Sequence, residues 1–107
     1  MGLFDWFARR PSLAEGLETW KSTPGAVLLD VRTPEEYRAG RIPGSRSLPL
    51  QELNGVAALA PGKDTPLYLY CHSGVRAGQA AAMLQRMGYT HVKNLGGITA
   101  YHGKVER

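Results

Sequence analysis

The chain has 107 residues, enough for one domain whose modest core needs no disulfide or metal staples. Hydrophobic residues make up 43% and charged residues 21%, a globular balance that excludes disorder over most of the chain. The net charge of +4 comes from 13 Lys and Arg scattered among 9 Asp and Glu; there is no basic stripe for nucleic acid, and the mild positive field suits small anionic substrates.

The single cysteine excludes an internal disulfide and Cys-clustered zinc sites, and it fits a reducing compartment. The opening MGLFDWFARR carries Asp5 inside its apolar run, and no signal-type apolar region follows. Nothing approaches the roughly 18 apolar residues of a membrane span, so a cytoplasmic protein without a transmembrane segment is expected.

Residues 1–11 read as an N-terminal apolar segment, and residues 12–107 as one domain. Leu3, Phe4, Trp6 and Phe7 fall at near-helical spacing. They predict a short helix docked on the domain or, in the sharper reading, an anchor to an interface or partner. Trp6 stands where N-myristoylation requires Ser or Thr, which excludes that modification.

SLAEGLETWK predicts a helix with Ser12 as N-cap and Glu15 completing a capping box. TPG stops it, and the continuous apolar run AVLLDV suits a strand buried on both faces of a parallel sheet. TPEEYRAG predicts a short helix capped by Thr33, with Pro34 at its first position and Gly40 as its stop. A short strand is expected at Ser45 to Leu48, then a weak helix in QELNGVAALA broken at Gly55. LYLYC reads as a second buried strand, VRAGQAAAMLQRMG as a strong helix ending at a C′ glycine, Gly88, and HVKNL as a third strand. GGITAYHGKVER reads as a glycine hinge and a tail. Strands alternating with helices predict an α/β domain with a central, mainly parallel β-sheet flanked by helices. Ligands of such sheets gather at the carboxyl ends of the strands, where Cys71 lies.

The loop Cys71-His72-Ser73-Gly74-Val75-Arg76 joins a strand to a helix whose first amides lack intrahelical partners. Those amides and the helix dipole make an anion site, which favours the thiolate of Cys71, the nucleophilic form. Gly74 lets the backbone curl with its amides inward, and Arg76 brings a permanent cation whose fork suits oxyanions. His72 and Ser73 either donate further hydrogen bonds or face solvent. A buried cysteine is often a small apolar filler. The glycine, the arginine and the helix favour the nucleophile here, because a filler does not need that loop. Asp30 closes the first strand beside it. Asp30 is read either as a plain turn residue or as a support that orients the Cys71 loop by accepting backbone or arginine hydrogen bonds. It is a poor general base, since a carboxylate opposes a thiolate. Arg32 is read as a substrate contact or as a surface partner of Glu35 or Glu36.

LLDVRTPEEYRAGRIPGSRSLPL and LYLYCHSGVRAGQAAAMLQRMGYTHVKNLGGITAY together resemble the rhodanese family in its single-domain form. The resemblance spans roughly residues 12 to 102. It implies a sulfurtransferase in which Cys71 forms a persulfide, with sulfane sulfur taken from an anionic donor such as thiosulfate and passed to cyanide or a cellular thiol. It implies that the amides of residues 72 to 76 hold the persulfide, that Arg76 contacts the donor, and that no metal or organic cofactor takes part. Arg41 stands where many members have histidine, and Tyr101 where many have tryptophan; both read as scaffold. Two rivals remain. One is a persulfide carrier that docks a protein partner through the apolar N-terminus. The other is phosphatase-like or arsenate-reductase-like chemistry, disfavoured because those loops place one more residue between Cys and Arg than the four found here.

Overall fold

Val27–Asp30 forms strand β1 in a computed structural model of the protein, which describes residues 11–107. The helix or anchor expected of Leu3, Phe4, Trp6 and Phe7 lies outside the described residues. β2 (Arg46–Ser47), β3 (Leu67–Cys71) and β4 (Val92–Gly97) complete a four-stranded sheet in the order β2-β1-β3-β4. Every pairing is parallel, as the apolar, non-alternating runs predict. No helix among the described residues is long and apolar enough to cross a membrane.

The helices form where their caps dictate. Helix α1 (Leu13–Ser22) begins with the Ser12–Glu15 capping box, and α2 (Pro34–Ala39) with a second box between Thr33 and Glu36. The segment predicted as a weak helix is a 3-10 turn, Leu50–Gly55, followed by the single turn α3, Val56–Leu59, so the chain does break at Gly55. Helix α4 (Val75–Arg86) stops before Gly88, whose φ of 103° only glycine adopts readily.

The sheet separates two apolar layers. Alternation along β3 sends Leu67, Leu69 and Cys71 toward Ala77, Ala80 and Leu84 of α4. It sends Tyr68 and Tyr70 the other way, toward Leu13 and Leu17 of α1. Tyr70 is fully buried; its phenol oxygen accepts from the Ile42 amide at 3.1 Å and lies 3.1 Å from Ser45 Oγ. Burial pushes the Tyr70 phenol above its ordinary pKa, so it stays a neutral strut between β3 and the chain entering β2.

β4 departs from expectation at its end. The sequence reads HVKNL as strand and the two glycines as a hinge, yet β4 continues through both. Leu69 pairs with Asn94, the register then shifts, and Cys71 pairs with Gly97. Gly96, with φ 100°, absorbs the shift. Gly97 lies directly under the chain that follows Cys71. A Cβ there would overlap the His72 carbonyl and come within 2.5 Å of Ser73 Cα. Gly97→Ala is expected to cost about 1–3 kcal/mol, the range for forcing an extra methyl into a packed site. Urea denaturation checks this, and a variant as stable as wild type contradicts the contact.

Candidate active site

Cys71 is the last residue of β3, and the turn into α4 folds back over it. The thiol is 1% exposed, and the Gly74 amide donates to its Sγ at 2.9 Å. Gly74 has φ 107°, the left-handed geometry that aims its N–H inward, and it is the N-cap of α4. Cys71 is thus both a member of the core and the acceptor of a helix-cap amide. The rim is open: His72, Ser73 and Val75 are exposed, and Val75 at 69% is the exposed large hydrophobe among the described residues.

Arg76 does not extend into solvent. Its Nη1 and Nη2 donate to Glu36 Oε1 and Oε2 at 2.7 and 3.0 Å, a two-point fork. The capping box fixes Glu36 from its own side, because Oε1 also accepts from the Thr33 amide and Thr33 Oγ1. The Arg76 guanidinium therefore holds the Glu36 carboxyl at about 2, down from an ordinary 4.5. Burial works against this shift and the Thr33 bonds reinforce it. Arg76 is raised in turn, chiefly by the hydrogen bond to Glu36, and the charge of Cys71 adds to this.

Asp30 and Arg32 form a separate, deeper unit. Asp30 is fully buried and accepts from the Arg32 amide, Nε and Nη2, the last at 2.7 Å. Arg32 Nη2 also donates to the Gly40 carbonyl at 2.7 Å, and the guanidinium stands over the Tyr70 ring. Burial opposes the Arg32 charge; the hydrogen bonds and charge of Asp30 outweigh it, so its pKa lies above the ordinary arginine value. Asp30 accepts from the Arg32 backbone and side chain, and these bonds brace the turn from β1 into α2 rather than the Cys71 loop for which the support was expected. Arg32 is not paired with Glu35 or Glu36, which go to Arg38 and Arg76.

Glu36 and Asn94 are the residues that the sequence reading missed. Glu36 carried a signal, as the closing residue of a Thr-x-x-Glu box, but nothing local tied it to Arg76, 40 positions away. Asn94 carried none. Its side chain donates to the Gly74 carbonyl at 3.1 Å and accepts from the Gly96 amide at 2.8 Å, joining the Cys71 loop to the β4 bulge. Thr99 N–H adds a 3.3 Å bond to the His72 carbonyl. The two departures from the family pattern serve the scaffold. Arg41 stacks on Tyr37 and bridges by its backbone to Glu106, while the Tyr101 hydroxyl donates to the Lys104 carbonyl.

A groove of about 610 Å³ lies between α1 and β4, lined by Gly16, Thr19, Tyr68, Asn94 and the outer side of Ser73–Val75. Cys71 points to the opposite layer and does not line it. Among the described residues, no three His, Cys, Asp or Glu side chains cluster as a metal site.

The Glu36–Arg76 pair links folding to pH. The carboxyl titrates near 4.5 when unfolded and about 2 when folded, so the pair's contribution is complete above 4.5 and fades as pH falls toward 2. Wild type is expected to lose stability across that window more steeply than Glu36→Gln, whose amide does not titrate. Urea midpoints measured from pH 5 to 2 check this; parallel curves contradict it.

A family model described as Rhodanese-like domain matches residues 13–104. The chain is 41% identical over 71 residues to "Thiosulfate sulfurtransferase PspE" of Escherichia coli, across 65% of this chain and 68% of that protein. It is 35% identical over 103 residues to "Thiosulfate sulfurtransferase GlpE" of Pseudoalteromonas translucida, across 90% of this chain and 94% of that protein. A solved structure described as "rhodanese with anions from E. coli" superposes with a TM-score of 0.72 at 35% identity, covering 77% of this chain and 98% of that one. Both the parallel sheet with its Cys71 loop and the match from α1 to the tail therefore say that this chain belongs to the rhodanese-like family.

Proposed function

We propose that the protein is a sulfurtransferase that carries sulfane sulfur on Cys71. The observation that carries this reading is the Gly74 amide on Cys71 Sγ at 2.9 Å, at the head of α4. A donor fixed in that position stabilises negative charge on sulfur before any reactant arrives, which is what a thiolate and then a persulfide anion require.

The cycle has two displacements. The Cys71 thiolate attacks the outer sulfur of thiosulfate. A new S–S bond forms to Sγ, the S–S bond of thiosulfate breaks, and sulfite leaves with the electron pair. An acceptor anion, cyanide or a thiolate, then attacks the outer sulfur of the persulfide. Thiocyanate or an acceptor persulfide leaves, and the Cys71 thiolate is restored. Each step keeps atoms and charge in balance and needs no oxidant. The recessed thiol favours delivery of a single terminal sulfur atom. The four residues between Cys71 and Arg76 likewise leave a tighter cradle than phosphate chemistry uses. Arg76 stands at the rim with its fork on Glu36, and the inner turn braced by Asp30 and Arg32 keeps α2 in place beside it.

Protein-borne thiols are a second class of acceptor. The rim of His72, Ser73 and Val75, exposed among the described residues, supports this, because it is accessible to a partner surface.

Incubation with thiosulfate, removal of the excess and intact-mass measurement test the proposal. Wild type is expected to gain the mass of one sulfur atom, to lose it on addition of cyanide or a thiol, and Cys71→Ser is expected to gain none. No gain on wild type, or an equal gain on Cys71→Ser, refutes a Cys71 persulfide formed from thiosulfate.

A further inference from the structure

The Arg76 fork is occupied. A guanidinium meets an oxyanion best through two parallel N–H donors, and Arg76 spends one on each oxygen of Glu36. The carboxylate is not a chance surface partner. It is held from behind by the Thr33 amide and hydroxyl, and the pair's side chains are only 32% and 31% exposed. The rim beside Cys71 thus presents a neutral ion pair rather than a free cation.

We infer that Glu36 is a specificity-determining residue that holds Arg76 in a neutral pair and so biases Cys71 against highly anionic reaction partners. The inference rests on the sulfurtransferase reading for its biological meaning, but its physical content is the charge felt at Sγ. An anionic donor must either pull the guanidinium off Glu36 or bind beside a pair whose positive charge is already neutralised. Reactants of lower charge escape both costs. Thiosulfate, a dianion, is accordingly met less favourably than a donor of lower charge.

Glu36→Gln isolates the effect, because Gln still completes a capping box and the helix start is kept. The measurement is the rate of Cys71 alkylation by anionic iodoacetate divided by that by neutral iodoacetamide, on the full chain. The ratio cancels changes in thiolate fraction and in steric access common to the two reagents. Glu36→Gln is expected to raise it on the order of tenfold, the effect of one charge removed at close range in a partly wet site. Arg76→Gln, which leaves Glu36 alone at the rim, is expected to move it below the wild-type value. The thiosulfate concentration for half-maximal persulfide loading is expected to fall in Glu36→Gln by a similar factor. A ratio that is unchanged or lower in Glu36→Gln overturns the inference, and a lower one would assign Glu36 to positioning Arg76 for anions. A raised ratio with no loading by thiosulfate in either protein upholds charge control by Glu36 and defeats the thiosulfate reaction instead.

Discussion

The site depends on the absence of one side chain. The loop after Cys71 rests on Gly97, where a Cβ would overlap the His72 carbonyl and crowd Ser73. That contact is possible only because β4 slips its register after Asn94, with Gly96 taking up a positive φ. With the loop seated, Gly74 reaches the left-handed turn that brings its amide onto Cys71 Sγ, and α4 begins at the next residue. Asn94 then clasps loop and bulge together. Strand register, loop path and the donor on sulfur are parts of one packing problem.

Two charged pairs lie close to that loop in sequence logic, and their energetics assign them different work. Asp30 and Arg32 are buried, so removing either one strands a charge in the interior, a loss of about 3–5 kcal/mol. Their bonds to one another and to the Gly40 carbonyl brace the β1–α2 turn. Glu36 and Arg76 are partly exposed, and pairs of that kind contribute only about 0–1 kcal/mol. Their weight is therefore electrostatic at the rim rather than structural. The same capping box that starts α2 decides how much of the Arg76 charge a reactant meets.

Burial and nucleophilicity coexist at Cys71 through the alternation of β3. The inward phase that places Leu67 and Leu69 against α4 places Cys71 there too, at the strand's last position. The phase ends where the loop begins, so the sulfur is walled by core on one side and by an oriented amide on the other. A recessed sulfur of this kind is reached by a terminal sulfur atom more readily than by a bulky group. The exposed Val75 and Ser73 set the outer shape that any larger partner must fit.

Much of this was legible in the sequence. The capping box at Ser12, the N-cap at Thr33, the break at Gly55, the stop at Gly88 and the apolar runs of β1 and β3 are local patterns, and local geometry obeys them. The Cys71–Arg76 spacing and its place at a strand's end pointed to an anion-binding loop for the same reason. What the sequence could not decide was which distant partner each charged group would choose. Arg32 had three carboxylates within six positions and took Asp30, while Arg76 crossed 40 positions to take Glu36. The bulge that carries β4 through Gly96 and Gly97 was equally hidden, since a glycine pair reads as a hinge until the strand beside it demands a close approach. Caps, turns and apolar runs are fixed by neighbours along the chain. Ion-pair partners and backbone-on-backbone contacts are fixed only when the sheet has brought remote segments within a few ångströms of one another.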